Sequence, residues 1–318
     1  MKKYLIFLLS IFIISFLSCS DSSDDINDVD PTGNEEQGDS SDSNPQVENP
    51  ANFQLTGASA NDILSNNNFD RIVVEIAFVR GFRPTDEAID GFEDFLELHS
   101  FKNNIEIVFT ELTSPREENL TLEEISNLEI ENRTVYNDGT TLGVYIYFAD
   151  SPSEGDEPDE GLFTLGAVYR NTSMIIFEST VIALASQSSI ITAGNLESAT
   201  LNHEFGHLMG LVNLGTVAIN DHEDTTTNDD GDVVGNNHCN VPGCLMQAQL
   251  NFNFSSTERQ RTSFTTTEGL KTDCSLNGLE LLKQLEINNA QNSSIVPVLD
   301  PECRLDLSGN GGRSSTDS

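Results

Sequence analysis

Positive charge is scarce in this chain. Only 15 of its 318 residues are Lys or Arg, against 52 Asp or Glu, so the formal net charge is −37. Phosphate backbones repel a protein of that sign, which excludes nucleic acid as a partner. A peripheral grip on anionic lipid is excluded for the same reason. Long apolar runs are missing as well, since no stretch reaches the ~18 residues of an ordinary transmembrane helix. No repeat of ~20–50 residues occurs, so a solenoid is out, and no heptad array is present. Apolar residues make up 37% of the chain, where an ordinary soluble domain has about 45–50% with glycine included. Part of the chain is therefore expected to lie outside any packed core. The length suits one large or two small domains.

What is present begins with a targeting signal. Lys2 and Lys3 precede an apolar run from Tyr4 to Leu17. That run is too short to span a bilayer and has the size of a signal-peptide core. It ends in Phe16-Leu17-Ser18-Cys19, followed by the acidic Ser20-Asp21-Ser22-Ser23-Asp24-Asp25. A small residue before a cysteine at this place resembles the lipobox of bacterial lipoproteins. The acidic stretch after it resembles the surface-export signal of Bacteroidetes lipoproteins. The resemblance implies removal of residues 1–18, lipidation of Cys19 and a place on the outer membrane or cell surface. A plain cleaved signal would instead give a secreted or periplasmic protein. Membrane contact is expected only through the lipid.

Residues 19–52 are Ser, Asp, Asn, Glu, Gly and Pro with few large apolar side chains, and read as a disordered acidic tether. Residues 308–318 read as a similar tail. Between them, 53–307 shows clear periodicity. Arg71–Arg80, Ile105–Thr110, Leu142–Ala149, Phe163–Tyr169 and Met174–Phe177 read as strands. Thr85–Ser100, Thr121–Asn127 and Asn195–Met209 read as helices, the last with Asn195 as N-cap and Gly210 as the residue that ends it. Val181–Ile190 is ambiguous. After Gly210 the chain reads as loop until a terminal helix near Ser275–Asn288. The order of elements predicts an α+β fold, with a mixed twisted sheet and helices on one side of it. The N-terminal subdomain runs to about residue 210. A loop-rich C-terminal subdomain follows.

Histidine is also scarce, and its placement carries the chemistry. Of five histidines, four lie in the 36 residues from His203 to His238. His203-Glu204-Phe205-Gly206-His207 is HExxH. On a helix, residues i and i+4 share a face, so both imidazoles can take corners of one Zn²⁺. Glu204 then stands where it can act as general base on a water at the metal. Gly210, three residues past His207, lets the chain leave the helix and return a third ligand.

HExxHxxG with a methionine downstream resembles the metzincin zinc endopeptidases, which keep a Met-turn beneath the metal. Their usual third histidine falls at Asn213 here, a poor zinc ligand. After an insertion the chain reads His238-Cys239-Asn240-Val241-Pro242-Gly243-Cys244-Leu245-Met246. This resembles the HC-x4-CxM segment of archaemetzincins. An insertion before the third histidine is also found in leishmanolysin-like metzincins. The resemblance implies one catalytic zinc on His203, His207 and His238, with Glu204 as base and Met246 in the Met-turn. His222 is the alternative third ligand. Phe163–Tyr169 occupies the place of the metzincin edge strand, so Leu165, Gly166 and Ala167 are expected to pair with an extended substrate.

Beyond Cys19, four cysteines remain: Cys239, Cys244, Cys274 and Cys303. Four cysteines outside the cytoplasm suggest two disulfides. Archaemetzincins place cysteines near this motif on a structural zinc, but that site needs a later CxxC, which this chain lacks. The preferred pairs are therefore Cys239–Cys244 and Cys274–Cys303. Two acidic turns, Asp150–Gly161 and the one around Asp229, Asp230 and Asp232, could hold Ca²⁺. The expected function is a zinc-dependent, monomeric endopeptidase acting on a protein or peptide. The competing readings are a catalytically weak zinc-binding surface protein that grips host or matrix polymers, and a nutrient-binding lipoprotein without metal.

Overall fold

A computed structural model describes residues 48–227, 231–247 and 278–314. The signal segment, Cys19, the tether up to residue 47, Asp229, Asp230 and Cys274 lie outside the described residues. Among those described, no helix is long and apolar enough to cross a membrane.

The fold is α+β, built on a mixed five-stranded sheet. Its strands are β1 (Arg71–Val79), β2 (Asn104–Leu112), β3 (Thr141–Phe148), β4 (Gly166–Arg170) and β5 (Ser173–Ile176). Their order is β2-β1-β3-β5-β4. β1 runs parallel to β2 and β3, β5 runs parallel to β3, and only β4 is antiparallel. β4 therefore forms one edge.

The sequence of β1, RIVVEIAFV, is apolar on both faces, as a strand inside a parallel sheet must be. Alternation sends Ile72, Val74, Ile76 and Phe78 into one core and Ala77 and Val79 into the other. β3 splits in the same way, Val144 and Ile146 against Tyr145 and Tyr147. The larger core is covered by α2 (Asp86–His99) and α5 (Ala193–Leu208), α1 being the short turn of helix Ala60–Leu64. Phe92 of α2 meets Phe205 of α5 edge-on, with ring centroids 4.9 Å apart. The opposite face is covered by α3 (Leu122–Asn132), whose Leu122 and Ile125 pack with Tyr145, Tyr147 and Phe177. Helices thus lie on both faces, not on one as expected. Strands that are apolar on both sides leave neither face fit for water.

Local capping fixes where the helices begin. Thr85 accepts from the Ala88 amide to start α2, and Thr121 and Glu124 form a capping box at α3. The ambiguous apolar stretch contains helix α4 (Glu178–Ala185). α5 starts two residues before the expected cap. Its N-cap is Thr192, and Asn195 is the partner in the box: the Asn195 amide donates to Thr192 Oγ1 at 3.1 Å, and Thr192 N donates to Asn195 Oδ1 at 3.2 Å.

The C-terminal part holds more regular structure than expected. β6 (Glu223–Thr227) and β7 (Val233–Cys239) form an antiparallel pair. Their sequences, EDTTT and VVGNNHC, carry no apolar alternation that would announce a strand. α6 (Gly278–Ala290) falls close to the expected terminal helix, but α7 (Pro301–Gly309) follows it. Asp300 caps α7 through the amides of Glu302 and Cys303, with Pro301 at the first position. Ordered contacts continue past residue 307. Arg313 donates from its backbone to the His99 carbonyl at 2.9 Å and from Nε to the Ser100 carbonyl at 2.7 Å. Carbonyls at a helix C-terminus need outside donors, and a polar tail can supply them without a hydrophobic signature.

Candidate metal centre

α5 carries HExxH, and every residue from Gly194 to Leu208 is buried. It lies between the sheet and the C-terminal segments, so its polar residues face protein rather than water. His203 and His207 stand one turn apart with ring centroids 5.0 Å apart. His238, from β7, adds a third ring 5.3 Å from the first and 5.2 Å from the second. One ring nitrogen from each falls within 4.8 Å of the others, so the three buried imidazoles could hold a metal ion.

Hydrogen bonds orient two of the rings. His203 Nδ1 lies 2.7 Å from the Leu245 carbonyl, and His238 Nδ1 lies 2.6 Å from the Asn236 carbonyl. A carbonyl can only accept, so each Nδ1 carries the proton and Nε2 carries the lone pair. Neither nitrogen of His207 meets a hydrogen-bond partner among the described residues, although the ring is fully buried. A buried imidazole left in that state is costly, and a bound cation satisfies it. Burial also keeps His203 and His207 neutral. It pushes the pKa of His203 down to about 4, against a small upward pull from the Leu245 carbonyl. His207 is pushed well below the usual range by burial and by the neighbouring His203 and His238. Neutral imidazole is the form that binds a metal.

Two glycines set the packing around these rings. A Cβ on Gly166 of β4 would sit 2.8 Å from Glu204 Cγ and 3.0 Å from Thr200 Cγ2. Only glycine lets the edge strand lie this close to the helix beside Glu204. A Cβ on Gly206 would sit 2.4 Å from Met246 Sδ. Met246 thus packs directly under the HExxH turn. It is tied back to the third histidine's strand, because the Cys239 amide donates to the Met246 carbonyl at 2.8 Å. The helix ends where expected: Gly210 has φ +77°, and Val212 and Asn213 also adopt positive φ as the chain turns away.

No family model, no curated protein and no solved structure matches this chain. The chemistry of the site is read from its own side chains.

Of the residues singled out in the sequence, His203, Glu204, His207, His238 and Met246 come together around the end of α5. His222 does not. Its Nε2 meets Asp306 Oδ2 at 2.9 Å, and its Nδ1 faces Cys239 Sγ at 3.4 Å. Asn213, at the place of the usual third histidine, donates from Nδ2 to Glu223 Oε2 at 2.6 Å and accepts from the Ala218 amide. It braces the turn. Leu165, Gly166 and Ala167 lie at the start of the edge strand, where the Leu165 carbonyl accepts from the Phe177 amide and Gly166 and Ala167 pair with Ile176 and Ile175.

The expected Cys239–Cys244 disulfide is absent. Cys239, Cys244 and Cys303 are buried free thiols. Cys239 Sγ donates to Asp300 Oδ2 at 3.0 Å, and Cys244 Sγ lies 3.6 Å from Cys303 Sγ, against about 2.05 Å for a bonded pair. The other expected pair, Cys274–Cys303, includes Cys274, which lies outside the described residues. The calcium expectation also finds no support in the first acidic turn. Among the described residues, two groups of three or more His, Cys, Asp or Glu converge, and neither includes the Asp150–Gly161 loop. Asp156 of that loop accepts the Thr164 amide at 2.7 Å instead.

Gly206 and the Leu245 carbonyl were not visible as functional groups in the sequence. The small residue inside HEFGH was there to be read, but its partner Met246 is fixed only by the fold.

Proposed function

We propose that this chain is a zinc-dependent endopeptidase of metzincin type, held at a bacterial surface through lipidated Cys19. The observation that carries the reading is the trio of buried imidazoles with the fully buried Glu204 on the same turn of helix and the edge strand beside it. The donor set fits zinc: three imidazoles are a hydrolytic set that leaves one position for water or substrate. Zinc held there would supply Lewis-acid activation of a water for attack on a carbonyl.

The protein's own groups then divide the work. His203, His207 and His238 would each offer one ring-nitrogen lone pair to the ion, with the rings of His203 and His238 aimed by the carbonyls behind them. Glu204 takes the proton of the attacking water and returns it to the leaving amine. β4 is the last strand of the sheet but is buried along its length, so an extended peptide would add to it as a further strand only where the covering segments move aside. Met246 fills the space under the helix and keeps the ligand-bearing segments in register.

A second reading is a zinc-holding surface protein that grips a polymer without cutting it. The depth of the site favours that alternative, since none of His203, Glu204, His207 and His238 is more than 4% exposed. A broad peptide-library digest with metal analysis, with and without a zinc chelator, decides between them. Hydrolysis that needs the metal and falls by about 10²–10⁴ in Glu204→Gln, with zinc content unchanged, supports the peptidase. Wild-type cleavage by Glu204→Gln would remove that carboxylate from the mechanism. Metal binding without any cleavage would leave the binding protein.

A further inference from the structure

His222, which is not among the three clustered imidazoles, belongs to a second buried group. Its Nδ1 lies 3.4 Å from Cys239 Sγ and 4.0 Å from Cys303 Sγ. Cys303 Sγ lies 3.6 Å from Cys244 Sγ, and Cys239 Sγ lies 3.0 Å from Asp300 Oδ2. Donor atoms of His222, Cys239, Asp300 and Cys303 all fall within 4.8 Å of one another, and all four residues are buried.

Those separations have a simple geometric meaning. In a tetrahedron with Zn–S of about 2.3 Å and Zn–N of about 2.0–2.1 Å, neighbouring sulfur and nitrogen corners stand about 3.6 Å apart, and two sulfur corners about 3.8 Å apart. The observed sulfur–nitrogen distances of 3.4 and 4.0 Å bracket the first edge, and the Cys244–Cys303 sulfur–sulfur distance of 3.6 Å is close to the second. They are far too long for a disulfide. The far side of the histidine is also arranged for a metal. Asp306 Oδ2 takes the Nε2–H of His222 at 2.9 Å, which turns the Nδ1 lone pair toward the thiols. A carboxylate behind a histidine ring is the usual support of a metal-bound imidazole. Asp300 divides its oxygens: Oδ1 caps α7 and Oδ2 faces Cys239.

We propose a second, structural metal centre for a thiophilic divalent cation of the zinc class, held by His222, Cys239 and Cys303 with Asp300 or Cys244 at the fourth corner. The donors come from the approach to β6, the end of β7, the Leu245 turn and the first turn of α7. One ion there pins α7 to the hairpin and fixes Cys239, the residue next to His238. Each cysteine binds as thiolate and releases its proton to solvent, and no electron is transferred. This centre stands apart from the proposed peptidase chemistry, because it shares no ligand with it.

The test is metal counting and cobalt spectroscopy on the full chain, purified with a reductant and without chelator, using zinc alone or cobalt(II) alone as the probe. Wild type should hold two ions. A His203→Ala/His207→Ala variant should keep one, and with cobalt it should retain the intense near-ultraviolet absorption of a thiolate–cobalt bond. Cys303→Ser should keep one and lose that absorption. If Cys303→Ser fails to fold, the cobalt spectrum of wild type and of the double histidine variant still decides. No thiolate–cobalt absorption in either would overturn the proposal. So would a Cys244–Cys303 disulfide found by mass spectrometry of the unreduced chain. A chain that cuts no peptide but shows the absorption would sink the peptidase reading alone.

Discussion

Replacing Gly166 by alanine adds one methyl group where the fold has no room for it. The new Cβ would lie 2.8 Å from Glu204 Cγ, 3.0 Å from Thr200 Cγ2 and 3.2 Å from the Ile175 carbonyl oxygen. Carbon atoms settle at about 3.5–4.0 Å, so Glu204 must retreat by about 0.7–1.2 Å. The Ile175 carbonyl cannot share the shift easily, because β5 is paired on both sides by β3 and β4. The displacement therefore falls on α5. Overpacking of this kind costs about 1–3 kcal/mol. Relief from glycine's backbone entropy returns about 0.5–1 kcal/mol. The net loss of stability is modest, about 0–2.5 kcal/mol, or at most several degrees in Tm. The loss of activity should be much larger. Misplacing a catalytic group by about 1 Å costs on the order of 10²-fold. Zinc content should not change, since the three atoms nearest the added carbon belong to Glu204, Thr200 and Ile175 and none to a histidine. The assay is kcat and KM on any peptide the wild type cleaves, with Tm and metal analysis on the same samples. Wild-type kcat at unchanged Tm would show that β4 and Glu204 are not in contact as described. Lost zinc at wild-type Tm would show that the strain reaches the histidines and not Glu204.

Three further outcomes are expected. His238→Ala should nearly empty the HExxH site, whereas His222→Ala should leave that ion in place, as read by metal analysis after dialysis. A supporting histidine would cost only about 10–100-fold in affinity, so equal zinc in His238→Ala and wild type would move the third ligand elsewhere. His99 is buried, and burial, aided by Arg304, holds its pKa down to about 4 from 6.5. The unfolded chain binds the extra proton between those values, so stability is lost as pH falls from about 6.5 to about 4, by about 3 kcal/mol in all. His99→Leu should flatten urea stability against pH in that window, and an unchanged slope would clear His99 of the effect. Cys19→Ala should release the protein from membranes or block its maturation, and a variant that still partitions into detergent with lipid attached would rule out Cys19 as the anchor.

The sequence determined much of this protein without help. HExxH places two imidazoles on one helical face whatever surrounds it, because the spacing is a property of the helix. Gly210 ends that helix because positive φ is cheap only for glycine. β1, β3 and α2 were readable because long apolar periodicity leaves few alternatives. The helix cap was misplaced by three residues, since Thr192 and Asn195 are both good caps and only the finished box assigns their roles. The hairpin of β6 and β7 left no pattern, because its polar strands are held by pairing and not by a buried face. Only the tertiary structure shows that His238, and not His222, lies beside His203 and His207. Both are histidines within reach of Gly210, and chain distance alone does not say which way a loop folds. The same holds for the cysteines. Spacing allowed Cys239 to pair with Cys244, but α7, unseen in the sequence, brings Asp300 and Cys303 beside them and turns His222 toward the thiols. Periodicity reports which face of a segment is dry; it carries no information about which distant polar groups will share one buried place.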